Sequence, residues 1–203
     1  MRKITINLAA VAAFCIVVAS PALVSSSCAT PKTEQEDTTI IREDSGITAL
    51  KYSSPEVPAS IEFCGKTIDL SRFDRHERMD RELLAFTYMH STSLQMLKKA
   101  NRYFPIVEPI LKENGIPDDF KYLMVIESNM NPTARSSAGA AGLWQFMQGT
   151  GRDYGLEVNN NVDERYHIEK ATRAACRYLK DAYAKYKDWV AVAASYNAGQ
   201  ARI

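Results

Sequence analysis

The residue in this chain best placed for chemistry is a carboxylate in an apolar setting. Phe120-Lys121-Tyr122-Leu123-Met124-Val125-Ile126-Glu127-Ser128 has Lys121 as its only polar interruption before Glu127. At ~100° per residue, Phe120, Leu123, Met124 and Glu127 share one helical face, and Tyr122, Val125 and Ile126 cover the opposite side. A helix apolar nearly all round is a buried one. Glu127 is therefore expected to emerge from the core. Desolvation would raise the pKa of its carboxyl group, and the C-terminal end of a helix disfavours further negative charge. Both effects keep the proton on near neutral pH, as a general acid requires. The same pattern also accommodates a Glu that frays outward in the last turn and meets solvent.

Other chemistries find less support. Ser128 has no His or Lys placed to activate it, so it reads as an orienting or capping residue rather than a nucleophile. His76, His90 and His167 lack the spacing of metal ligands, and no CxxC pair or His/Cys cluster occurs. No metal or other cofactor is expected. Lys+Arg 25 against Asp+Glu 24 gives a net charge of +1, which offers no field for nucleic acid.

The elements that must position Glu127 read as helices. Ile61 to Ile68 alternates weakly, as a short extended piece would. From Met79, the residues Leu83, Phe86, His90, Leu94, Leu97 and Asn101 recur at three- and four-residue steps, which predicts one stripe ending near Tyr103 with His90 packed on it. Pro105 is expected to open a second helix and Gly115 to close it as a left-handed C-cap. Pro117-Asp118-Asp119 begins the short helix that carries Glu127. A small-residue loop, Arg135 to Gly142, follows, then a helix from about Leu143. A long helix from about Glu169 turns Ala171, Ala174, Ala175, Tyr178, Leu179, Ala182 and Tyr186 inward and Lys170, Arg173, Arg177, Lys180 and Asp181 to water. Asp188 N-caps a last helix, Trp189 to Tyr196, that stops at Asn197-Ala198-Gly199. The expected class is mainly α, with five to six helices.

Three blocks then change the weight given to Glu127. They are Glu127-Ser128-Asn129-Met130-Asn131-Pro132-Thr133-Ala134-Arg135-Ser136, Gly142-Leu143-Trp144-Gln145-Phe146-Met147, and Ser195-Tyr196-Asn197-Ala198-Gly199. In order and spacing they resemble the lytic transglycosylase (SLT) family of the lysozyme-like superfamily, over roughly Met79 to Ile203. The resemblance implies a helical domain of the goose-type lysozyme kind. It implies cleavage of the β-1,4 bond between N-acetylmuramic acid and N-acetylglucosamine in peptidoglycan strands, giving a 1,6-anhydro product without water as nucleophile. Glu127 matches the family's acid, which protonates the glycosidic oxygen and then acts as base on the sugar's own C6 hydroxyl. Ordinary glycosidases use two carboxylates, yet none of the three blocks holds a second acid.

The remaining site residues follow from the resemblance. Ser136 matches a serine near the muramic substituents. Gln145 would line the cleft, and Trp144 or Phe146 would offer an aromatic surface to a sugar, although both also suit a core. Tyr196 and Asn197 match the third block, whose tyrosine hydroxyl lies near the acid; Asn197-Ala198-Gly199 reads equally as a helix C-cap. Family domains continue past this block with further helix and usually another cleft tyrosine. A chain ending at Ile203 is therefore expected to lack the C-terminal part of the domain. Two rival expectations stay open: a lysozyme-type hydrolase on the same fold, and a non-catalytic cell-wall-binding lipoprotein.

The N-terminus supplies an address. Arg2 and Lys3 precede an apolar run from Leu8 to Ala19, which is short for a membrane span and suits a secretory signal. Ser25-Ser26-Ser27-Cys28 resembles a bacterial lipoprotein cleavage site, with Ser25 where Leu is usual. Lipidation at Cys28, plain signal cleavage and an uncleaved anchor are three readings of the same residues. All place the working part outside the cytoplasm, in the periplasm or anchored at the outer membrane. Without Arg2 and Lys3 the balance becomes 23 basic against 24 acidic residues, or −1. The expected organisation is residues 1–27 as signal peptide, 28–78 as a linker rich in Thr, Ser, Glu and Pro, and 79–203 as the catalytic domain. Cys64 and Cys176 could pair in an exported compartment if geometry allows, or stay as two free thiols.

Overall fold

A two-residue turn joins the first two strands of the described residues. Strands β1 (Ser60–Phe63) and β2 (Lys66–Asp69) pair antiparallel, with Ser60 opposite Asp69 and Phe63 opposite Lys66. Cys64 and Gly65 join them with φ of 49° and 75°, the left-handed pair that suits the twist of a tight hairpin. The computed structural model describes residues 55–198, with side chains through Tyr196. The signal segment, Cys28, the first part of the expected linker and residues 199–203 lie outside the described residues.

The hairpin corrects the boundary expected at Met79. Phe63 is fully buried in the main core, 6.2 Å from the ring of Phe120, and Ile61 is buried with Leu70, Met79 and Leu83 in a smaller cluster. Cys64 N–H donates to Asp119 Oδ2 at 2.7 Å, and Lys66 Nζ pairs with Asp188 Oδ2 at 2.6 Å. Met79 itself lies inside helix α1 (Phe73–Tyr88). Folding thus begins ahead of the helical stripe, where a weakly alternating octapeptide carried little signal. Both Cys64 and Cys176 are free thiols, with Cys176 buried and pushed up to about 11 by desolvation.

Helix α2 (His90–Glu113) follows α1 after a break at Met89, and it runs straight through Pro105 and Pro109. The predicted break at Pro105 is therefore misplaced. The two prolines stand on the solvent side, as do Asn101 and Pro105, the residues whose carbonyls lose their i+4 donors. Water can satisfy those carbonyls. The break at Met89 also resets the stripe: Ser93, Ala100, Tyr103, Phe104, Val107, Ile110 and Leu111 face inward, and His90, Leu94 and Leu97 are exposed. The end of α2 matches expectation. Gly115 (φ 67°) donates to Lys112 O and Ile116 N–H to Leu111 O at 3.0 Å, a Schellman closure with Ile116 and Leu111 buried together.

A 3-10 turn at Asp118–Phe120 leads into α3 (Lys121–Ser128), whose Tyr122, Leu123, Met124, Val125 and Ser128 are buried. Residues 129–147 form a looped segment with bridges Arg135–Ala141 and Ala141–Phe146. The helix expected from Leu143 is absent there; α4 starts only at Gln148 and ends at Asp153. The reason is local: Gly142 and Gln145 hold φ of 78° and 49°, which ends any right-handed helix. A 3-10 turn at Glu164–Tyr166 precedes α5 (Ile168–Tyr186), and α6 (Trp189–Ala198) follows with Asp188 Oδ1 accepting from Val190 N–H at 2.9 Å. Helix α5 packs along α2 on one side and α6 on the other. Its inward Ala171, Ala174, Ala175 and Ala182 permit close approach, while Lys170, Arg173, Arg177, Lys180 and Asp181 face water. Among the described residues no helix is long and apolar enough to cross a membrane.

Candidate active site

The site grows from the end of α3. Because the helix is buried over most of its circumference, its penultimate residue leaves the core before it reaches water. Glu127 Oε1 is fully buried and has no hydrogen-bond partner among the described residues. Burial, the cause resolved among the described residues, raises the carboxyl to about 7. A lone, desolvated carboxyl group holds its proton at neutral pH and can give it to an incoming oxygen. Glu127 does not fray into solvent. Ser128 beside it donates Oγ–H to Met124 O at 2.8 Å within its own helix and is buried, so it is no nucleophile. Asn129 (φ 49°) and Met130 (φ 52°) then turn the chain away in left-handed geometry.

Helix α6 brings Tyr196 to the acid. Its hydroxyl donates to Trp144 O at 2.8 Å. Burial first, then the charges of Glu127 and Tyr178, push the phenol well above its ordinary range. Tyr178 of α5 stacks edge-on to Tyr196 with ring centroids 5.1 Å apart, and to Phe146 at 6.4 Å. These aromatic contacts fix the ring of Tyr196 beside the loop. Asn197 continues α6, and its side chain lies outside the described residues.

The loop from Ala134 to Phe146 forms the facing wall. Gln145 is half-buried with φ 49°, and its Nε2 donates to Gly142 O at 2.8 Å and to Ala134 O at 3.3 Å. Both amide hydrogens face carbonyls, which fixes the flip and leaves Oε1 as the group without an assigned donor. Ser136 shapes the loop rather than standing free: its Oγ accepts from Ala140 N–H at 3.0 Å and its N–H donates to Ala140 O at 2.9 Å.

Trp144 and Phe146 correct the expectation of a sugar platform. Trp144 is fully buried, with Nε1 donating to Thr172 Oγ1 at 3.0 Å, and Phe146 is 3% exposed. Neither ring offers a face to a ligand; the main-chain oxygen of Trp144 serves the site instead. The sequence marks neither Arg165 nor Tyr178 as a site residue. Tyr178 was legible only as an inward residue of a long helix. Arg165 stands out in the sequence only as part of Asp163-Glu164-Arg165, since no periodicity reveals a buried arginine.

The helical domain thus holds a buried carboxyl at the end of α3, an αL turn after it and a tyrosine on α6. Residues 105–203 match the family described as Transglycosylase SLT domain. The likeness to that family lies in this segment, just under half of the chain. Membrane-bound lytic murein transglycosylase D of Escherichia coli (strain K12) is 31% identical over 128 residues, covering 63% of this chain and 27% of that protein. A protein named for tributyltin chloride resistance in Alteromonas sp. (strain M-1) is 23% identical over 117 residues, 57% of this chain and 56% of its own. Peptidoglycan transglycosylase gp16 of Escherichia phage T7 is 33% identical over 93 residues, 44% of this chain and 7% of that protein. The chain thus spans about a quarter of the length of the Escherichia coli relative.

Proposed function

We propose that this chain is a peptidoglycan lytic transglycosylase that cleaves between N-acetylmuramic acid and N-acetylglucosamine. The observation that carries the reading is Glu127: a buried carboxyl group, raised to about 7, at the position of the family's acid. In the first step Glu127 gives its proton to the glycosidic oxygen as the bond to C1 of the muramic sugar breaks. The carboxylate left behind then takes the proton of the C6 hydroxyl while O6 bonds to C1. The proton returns to Glu127, water is neither added nor released, and the 1,6-anhydro ring is closed. One carboxyl group serves both steps, in keeping with three motif blocks that hold no second acid.

The loop would hold the sugar. Gln145 presents Oε1, an acceptor suited to an N–H or O–H of the glycan, and Ser136 keeps the wall in shape next to it. Asn197 would complete the cleft on the side of α6. The working place would be the bacterial cell envelope, reached by export of residues 1–27 and held there by lipidation of Cys28. The membrane-bound name of the Escherichia coli relative supports that reading.

Digestion of purified sacculi by the 203-residue chain, read by mass spectrometry, tests the proposal. Anhydro-muropeptides are expected, and Glu127→Gln should reduce their release by roughly 10²–10⁴-fold with the fold intact. Hydrated reducing ends would indicate a hydrolase. Retention on sacculi without soluble product would indicate a binding protein.

A further inference from the structure

Arg165 is a large side chain in the core, 2% exposed, on a turn that contributes nothing directly to the acid. A buried guanidinium persists only where its hydrogens find acceptors. Here four of the five N–H groups do so, in a fork. Nε and Nη2 donate to the two oxygens of Asp163 at 2.9 and 2.7 Å, and Nη1 donates to Gly139 O at 2.8 Å and Phe146 O at 2.9 Å. The Asp163 carboxylate is held below the usual range, chiefly by that hydrogen bond.

The same residue also presses on the loop with its backbone. An added Cβ on Gly142 would meet Arg165 O at 1.9 Å. The loop is therefore held by hydrogen bonds at Gly139 and Phe146 and closely approached at Gly142, all by one residue. Between Gly142 and Phe146 lies Trp144, whose carbonyl accepts the hydrogen bond of the Tyr196 hydroxyl. If that carbonyl moved, the Tyr196 hydroxyl would need another acceptor. The buried polar atom without a partner among the described residues is Glu127 Oε1.

We propose that Arg165 is a positioning residue for the acid: clamped by Asp163, it fixes the Trp144 carbonyl so that the Tyr196 hydroxyl donates there and not to Glu127. A hydroxyl donating to Glu127 would stabilise the carboxylate and strip the acid of its proton. By holding the donor elsewhere, Arg165 leaves Glu127 with burial alone. Among the described residues, Glu127 of α3 and Tyr178 of α5 act on Tyr196, while Arg135 of the loop acts on Asp163. This inference rests on Glu127 being the acid of the proposed reaction, but its test needs no substrate.

The test is a titration of Glu127 by carboxyl-carbon NMR in the full chain labelled with ¹³C-glutamate, the signal being identified by its loss in Glu127→Gln. The wild-type midpoint is expected near 7. Arg165→Lys keeps the charge and loses the fork, and it should lower the midpoint by about one pH unit, a tenfold change in proton affinity. Adding Tyr196→Phe to Arg165→Lys should abolish that fall, because no hydroxyl remains to donate. Asp163→Asn, which loosens the guanidinium while keeping its shape, should lower the midpoint in the same direction and serves if Arg165→Lys does not fold. A Glu127 midpoint unmoved in the folded variants, with only earlier melting, would reduce Arg165 to a core staple and overturn the proposal. An unlowered anhydro-product yield or its absence in the wild type bears on the reaction itself and leaves this titration unaffected.

Discussion

The hydroxyl of Tyr196 donates to the main-chain oxygen of Trp144 at 2.8 Å, although the buried, unpaired carboxyl oxygen of Glu127 belongs to the same site. The tyrosine hydroxyl therefore directs its hydrogen to the loop and not to that carboxyl oxygen. A raised phenol pKa fits this arrangement, since the hydroxyl is desolvated and feels the negative charge of Glu127.

Removing the hydroxyl should expose what that hydrogen bond is worth. Tyr196→Phe leaves Trp144 O without this donor in the interior, and a net loss of about 1–2 kcal/mol is expected. Urea denaturation at pH 6, compared with wild type, checks it. An unchanged midpoint would mean that water replaces the donor freely.

Glu127 also makes stability depend on pH. Its carboxyl rises from an ordinary 4.5 to about 7 on folding. Between those values the unfolded chain has lost the proton and the folded chain still holds it, so stability falls as pH rises through this window. Below about 4.5 the effect vanishes, and above about 7 it is complete. Glu127→Gln should remove the dependence and be more stable than wild type at pH 8 by ~2–3 kcal/mol, with no gain at pH 4 beyond that of the amide itself. Thermal melts of both proteins across pH 4–8 decide this.

Gly142 carries the most severe prediction. Its φ of 78° is unfavourable to any side chain, and the space for a Cβ is filled by the backbone of Arg165. Backbone cannot swing aside as a side-chain tip can. Gly142→Ala should cost about 3 kcal/mol or more, and should lower activity even where the chain still folds, because Trp144 and Gln145 ride on the same turn. Chemical denaturation together with product release gives both readouts.

The sequence made the buried helix of Glu127 legible because six of its neighbours, Phe120 and Tyr122 to Ile126, had to be apolar to hide it, and periodicity reports that directly. The inward alanines of α5 and the Gly115 closure were legible for the same kind of reason. The α1–α2 stripe was legible as helix but not in rotation, since the break at Met89 leaves no mark in composition and Pro105 invites a false one. The loop around Gln145 was unreadable. Its form depends on positive φ at a glutamine and on hydrogen bonds from Arg165, twenty residues further on in the chain, and neither follows from local pattern. Trp144 and Phe146 show the converse: aromatic residues in a motif can belong to the core while their backbone serves the site.

The central claim is that one carboxyl group, Glu127, does the work of acid and base while the sugar's own C6 oxygen closes the ring. Digesting sacculi in water enriched in ¹⁸O tests it most directly. If the account holds, the released muramic ends are lighter than hydrolysis products by one water and carry no ¹⁸O, and Glu127→Gln releases neither kind. Muramic ends that carry ¹⁸O at C1 would show that water is the nucleophile and would contradict it.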